Sequence, residues 1–126
     1  RQRQMCIRDS CGAEVHACPN AKFTWLMTEA ERTEARQHNT AALRAALDTP
    51  FDLLVLDEAC AACRHQLVDE ALLRQAAAMA KQGREVVLTG RDPAPWMQEA
   101  ADYSTELRAV RHPYTQGTPA REGIEY

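Results

Sequence analysis

Two short apolar runs, separated by a helical stretch, constrain the fold of this chain more than any other feature. The first is Phe51-Asp52-Leu53-Leu54-Val55-Leu56-Asp57. The second is Glu85-Val86-Val87-Leu88-Thr89. Both are short enough for strands and too short for buried helices. Four consecutive apolar residues at 53–56 predict a strand buried on both faces, as in a parallel sheet. Parallel neighbours need a long crossover, usually helical. The stretch between the runs supplies one: Val68, Leu72, Ala76 and Ala80 recur every four residues, with Leu73 and Met79 beside them. A helix from about Asp69 to Lys81 follows, with Gly83 as its C-cap.

The flanking segments extend the pattern. Gly12 to Cys18 holds a weak strand candidate around Val15. Thr28 is a plausible N-cap with Glu31 at capping-box spacing, opening a helix that runs to about Leu47. Its apolar stripe is thin, so most of it is expected to be solvated. Asp92 and Pro93 read as N-cap and first helical residue of a short helix that turns Trp96, Met97, Ala100 and Ala101 inward. Tyr103 to Val110 reads as a last strand, and Arg111 to Tyr126 as irregular tail. Alternating strands and helices predict an α/β fold with a mostly parallel sheet. Three or four strands make that sheet thin, as if an element were missing on the N-terminal side.

Composition narrows the function. A net charge of −3 argues against a general nucleic-acid or anionic-membrane binder. No apolar run reaches membrane-span length and no signal-peptide core is present, so the cytoplasm is the expected compartment. Five cysteines without a secretory signal point to reduced thiols. Residues 1–10, RQRQMCIRDS, carry Arg1, Arg3 and Arg8 against Asp9 and show no usable period. The string resembles translated sequencing adapter, and it is set apart as non-native from residues 11–126; a disordered native tail is the alternative. In either case Cys6 is expected to have no role.

Four constellations could carry chemistry. Leu53-Leu54-Val55-Leu56-Asp57-Glu58 has the Walker B form, an apolar strand ending in acids at its carboxyl edge, where ligands of open α/β sheets bind. Two adjacent carboxylates there suit a magnesium nucleotide; the plainer reading is a strand-terminal helix cap. Thr89-Gly90-Arg91-Asp92 leaves the next strand on the same predicted edge. Arg91 is placed to meet a phosphate or carboxylate, or else it is a surface arginine paired with Asp92 or Glu58. Phe23-Thr24-Trp25 sets an aromatic pair before a capped helix, either a wall for a planar ligand or a satellite hydrophobic cluster. Cys60-Ala61-Ala62-Cys63 with His65 invites a zinc reading, but no second pair follows at finger spacing, and buried apolar cysteines are the competing reading. His16, His38 and His112 form no recognisable triad.

Taken in order, FTW (23–25), LLVLDE (53–58), VVLTGRDP (86–93), ADYSTELR (101–108), RHPY (111–114) and GIEY (123–126) resemble the ATP:corrinoid adenosyltransferases of the P-loop type. Each motif is weak alone; six in unbroken order are specific. The resemblance implies a P-loop NTPase-like α/β domain that binds ATP, Mg2+ and a reduced corrinoid, either cob(I)alamin or cob(I)yrinic acid a,c-diamide. It implies that the Co(I) centre of the substrate attacks the ribose 5′ carbon and triphosphate leaves, so that the protein mainly orients its substrates and stabilises charge. Phe23 and Trp25 match the aromatic wedge that removes the lower axial ligand of cob(II)alamin, a catalytic role. Glu58 matches the acid placed on magnesium, with Asp57 beside it, and Arg91 matches an arginine near the nucleotide. A homodimer is also implied, with neither nucleic acid nor membrane as partner.

The sequence departs from the family pattern in two places. The family's glycine-rich loop, which cradles triphosphate with backbone amides and a lysine, has no counterpart among the five glycines. The expectation is therefore a C-terminal portion whose N-terminal strand and P-loop are missing, inactive as it stands. The stretch EACAACRHQ (58–66) also differs from many relatives. Two readings of other classes stand beside the enzyme: a nucleotide-binding partner or regulatory module with a Walker B-like edge, and a small zinc protein built on Cys60 and Cys63.

Overall fold

The computed structural model describes residues 12–16 and 24–119, and for Trp25 the backbone alone. The chain divides into two compact units, one of residues 18–104 and one of residues 1–17 with 105–126.

In the larger unit a 3-10 turn, Thr24–Leu26, precedes α1, Glu29–Asp48. Then come β1 (Leu53–Leu56), α2 (Ala59–Arg64), α3 (Glu70–Ala78), a 3-10 turn (Met79–Gln82), β2 (Glu85–Leu88) and α4 (Pro95–Ala100). The capping box forms as its spacing predicts. The Thr28 hydroxyl accepts the Glu31 N–H at 3.3 Å, and the Glu31 carboxylate accepts the Thr28 N–H at 2.8 Å. Only Leu43 and Leu47 of α1 are buried, matching its thin apolar stripe. The predicted helix 69–81 is α3 plus the 3-10 turn, with Asp69 capping the Leu72 N–H at 3.1 Å and Gly83 in the left-handed conformation at the far end.

The strands β1 and β2 pair in parallel, Leu53 opposite Glu85 through Leu56 opposite Leu88, and form a two-stranded sheet among the described residues. One face carries the core. Leu54, Leu56 and Leu88 pack there against Leu43, Leu47, Val68, Leu73, Ala76 and Met97. Side chains alternate across a strand, so Leu53, Val55 and Val87 lie on the other face. They are 57%, 53% and 43% exposed. The expected burial on both faces is thus realised on one, because the helices between the strands supply one covering layer.

Three further expectations change. The short helix begins at Ala94 as N-cap with Pro95 in the first turn, not at Asp92; Asp92 sits at φ 52, a left-handed turn before the helix. In α4 Met97 is buried and Trp96 half-buried, but Ala100 and Ala101 face solvent. Tyr103 to Val110 has no strand pairing among the described residues, and Val110 lies in a bend. Its composition favours a strand, but a strand needs a neighbour's unpaired edge, and this segment has none among the described residues. Tyr103, Leu107 and Val110 are almost wholly exposed.

In the smaller unit residues 13–16 form no strand, contrary to the Val15 candidate. Within residues 105–119 a 3-10 turn, Pro113–Gln116, is capped by His112, whose Nδ1 accepts the Tyr114 N–H at 3.1 Å. The motif GIEY (123–126) and residues 1–10 lie outside the described residues. No helix among the described residues is long and apolar enough to cross a membrane.

Two substitutions separate core from cap. Leu73→Ala, at a site 2% exposed, is expected to lower unfolding stability by about 2 to 5 kcal/mol. Thr28→Ala removes one cap and is expected to cost about 1 kcal/mol. Urea titrations followed by circular dichroism measure both.

Candidate functional site

The register of β1 and β2 brings two sequence motifs to one sheet edge. Leu56 and Leu88 are partners, so Asp57-Glu58 and Thr89-Gly90-Arg91 leave the sheet side by side. Thr89 joins them. Its N–H donates to the Leu56 carbonyl at 3.1 Å, and its carbonyl accepts the Cys60 N–H at 3.2 Å. Its hydroxyl donates to Asp57 Oδ1 at 2.7 Å and accepts the Glu58 N–H at 2.9 Å. Glu58 occupies the left-handed region, φ 55 and ψ 25, immediately before α2. That conformation costs a non-glycine residue about 1 to 3 kcal/mol and persists where neighbours hold it. Gly90, at φ 132, makes the joint close: a Cβ there would lie 2.8 Å from the Cβ of Cys60.

The predicted site residues are brought together in part. Asp57 and Glu58 are adjacent and exposed at this edge. Arg91 leaves the same edge, is exposed, and has no hydrogen-bond or ion-pair partner among the described residues. Its expected alternative, pairing with Asp92 or Glu58, is not formed. Asp92 pairs instead with Arg64 at the end of α2. Phe23 lies outside the described residues. The backbone of Trp25 sits in the 3-10 turn Thr24–Leu26, which Arg32 of α1 ties down by donating from Nη2 to the Thr24 carbonyl at 2.7 Å. A groove of about 700 Å³ runs along α1, lined by residues such as Arg36, Thr40 and Arg44 with Asp69, and takes in none of the strand-edge residues.

Thr89 is the residue that sequence reasoning left aside. The signal was available. Aligning LLVLDE with EVVLTG as parallel neighbours sets Thr89 opposite Asp57.

Cys60 is buried and Cys63 half-buried on α2, both as free thiols. Burial pushes the Cys60 thiol above the ordinary cysteine range, and the nearby Glu58 charge adds to it. Burial does the same for Cys63, with Glu70 adding. No group of three or more His, Cys, Asp or Glu among the described residues is placed to hold a metal ion, so none of these residues completes a zinc site with Cys60 and Cys63. Raised thiols stay protonated as pH climbs through the usual cysteine range, and the thiolate is the nucleophile. Iodoacetamide at pH 8 is therefore expected to alkylate both cysteines more slowly in the folded chain than in urea, as read by mass spectrometry. The rate should rise only at pH values above those that activate an unfolded cysteine.

The chain matches the family model described as ATP:corrinoid adenosyltransferase BtuR/CobO/CobP over residues 3–126. It is 36% identical over 108 residues to a corrinoid adenosyltransferase of Pseudomonas aeruginosa, covering 82% of this chain and 52% of that protein. It is 30% identical over 107 residues to one from Sinorhizobium sp, covering 82% of this chain and 50% of the relative. A third, from Escherichia coli K12, is 30% identical over 112 residues, covering 82% and 54%. The chain thus spans about half the length of the curated relatives it matches. No solved structure matches it. The motifs in order, the acid pair at the strand edge and the match along nearly the whole sequence have one conclusion: this chain belongs to the ATP:corrinoid adenosyltransferase family.

Proposed function

We propose that the chain is the C-terminal portion of an enzyme that transfers the 5′-deoxyadenosyl group of ATP to the cobalt of a reduced corrinoid, in cobalamin biosynthesis or salvage. Triphosphate is the leaving group. The observation that carries the reading is the acid pair Asp57-Glu58, held beside Thr89-Gly90-Arg91 at the carboxyl edge of a parallel strand pair, within a chain of this family. A fuller P-loop NTPase-like sheet is part of the same reading. The exposed apolar face of Leu53, Val55 and Val87 supports it, since parallel sheets are covered on both faces.

The donor set fits magnesium. It is a hard ion that binds through one or two carboxylates, completing its shell with water and substrate phosphates. Asp57 and Glu58 are two exposed carboxylates of that kind. Bound there, magnesium would neutralise charge on the triphosphate. Glu58 would hold the ion, with Asp57 beside it. Arg91, whose guanidinium has no partner among the described residues, would meet phosphate oxygens with its planar donor fork. Phe23 and Trp25 would pack against the corrinoid as the aromatic wedge that removes the lower axial ligand of cob(II)alamin. The protein thus contributes orientation and electrostatic stabilisation, while the cobalt of the substrate is the nucleophile. Assembly as a homodimer in the cytoplasm belongs to the same proposal.

The test is adenosylation of cob(I)alamin and cob(I)yrinic acid a,c-diamide by the full-length gene product with Mg-ATP. Formation of the cobalt–carbon bond is followed by its absorbance change. Glu58→Gln is expected to lower turnover by at least about 100-fold, the scale of losing a preorganised electrostatic contact. Phe23→Ala with Trp25→Ala is expected to spare turnover of pre-reduced cob(I)alamin more than turnover that starts from cob(II)alamin. The 126-residue chain alone is expected to be inactive, because the phosphate cradle is not in its sequence. Failure of the full-length protein to make adenosylcorrinoid would overturn the proposal, and nucleotide binding without corrinoid binding would favour a non-catalytic module.

A further inference from the structure

We propose that Thr89 is the positioning residue for the acid pair, an inference that rests on the functional reading above. Four contacts converge on this one residue. Two are backbone bonds, to Leu56 and from Cys60, which any residue could make. The other two belong to the hydroxyl, which donates to Asp57 Oδ1 and accepts the Glu58 N–H. A hydroxyl has one proton to give and lone pairs to receive, so both bonds form at once and fix its rotor.

The consequences fall on the two acids differently. Asp57 has one oxygen committed to Thr89, and its second oxygen has no partner among the described residues. The carboxylate is therefore held in a single rotamer with one oxygen left for an incoming ligand. Glu58 is reached through its backbone. Its left-handed turn is held by the bond from its N–H to the Thr89 hydroxyl, and its carboxylate makes no capping bond to α2. Without that bond the turn can relax toward a helical conformation and swing the Glu58 side chain away from the edge. Thr89 thus sets both carboxylates without itself touching the metal or nucleotide. Preorganisation of this kind determines how well a charged site works, because the cost of ordering is met before the ligand arrives.

Thr89→Val keeps the shape and both backbone bonds and removes only the hydroxyl; Thr89→Ser restores it. Full-length protein is titrated with Mn2+ and ATP in the absence of corrinoid, and bound Mn2+ is read by electron paramagnetic resonance. Thr89→Val is expected to bind Mn-ATP about tenfold more weakly, the scale of one lost hydrogen bond to a charged group. Thr89→Ser should bind within about twofold of wild type, with corrinoid affinity unchanged in both variants. In turnover the loss should fall mainly on the KM for Mg-ATP. Wild-type Mn-ATP affinity in Thr89→Val with an unchanged KM overturns the inference while leaving the adenosyltransferase reading intact. Absence of Mn-ATP binding by wild type overturns both. If Thr89→Val fails to fold, as seen by its melting curve, Thr89→Ala compared with Thr89→Ser decides on the same readouts.

Discussion

A parallel pair of four-residue strands cannot stand alone, and the larger unit is organised around that constraint. Such strands make few ladder bonds and must be joined by a long connection. The connection here is also the covering layer. α2 and α3 leave β1, cross over, and return the chain to β2, laying Val68, Leu73 and Ala76 on the inner face of the sheet. α1 closes the same core with Leu43 and Leu47, and its placement is secured by polar ties. Asn39 donates to the Leu67 carbonyl at 2.9 Å, and the Thr40 hydroxyl accepts the Asp69 N–H at 3.1 Å. Sheet, crossover and first helix thus depend on one buried face.

That dependence explains how the site is built. Ligand-facing residues at a strand's carboxyl edge are only as well placed as the register beneath them. Pairing Leu56 with Leu88 brings Asp57 and Thr89 into contact across a long sequence separation. A slip of one residue would turn every side chain to the opposite face and break the joint. The hydrophobic pattern of the two strands is therefore part of the chemistry of the edge.

Much of this was legible in the residues. The capping box at Thr28, the period of four in α3, both strands and the acid pair all depend on local pattern, and local pattern is what a sequence displays. The misreadings share a cause of the opposite kind. Tyr103 to Val110 has strand composition, and Leu53 and Val55 look doubly buried, but pairing and burial are properties of a neighbour. Asp92 has the sequence of a cap, an Asp before Pro. Its left-handed turn and its pairing with Arg64 are set by the fold, and Pro95 starts the helix instead. The role of Thr89 is hidden from local pattern for the same reason, since its partners leave another strand.

The close approach of Gly90 to Cys60 changes how the C-x-x-C string should be read. A Cβ at residue 90 would first meet the Cβ and the backbone nitrogen of residue 60, atoms that nearly every amino acid shares, with the sulfur slightly farther from it at 3.3 Å. What residue 90 must accommodate is the presence of a side chain at 60, whatever that side chain is. The glycine is therefore tied to a backbone path and not to a thiol. Position 60 is free to drift among small residues as long as position 90 stays bare. A spacing that looks like metal or redox chemistry is, at its first cysteine, the imprint of two chain segments crossing at close range.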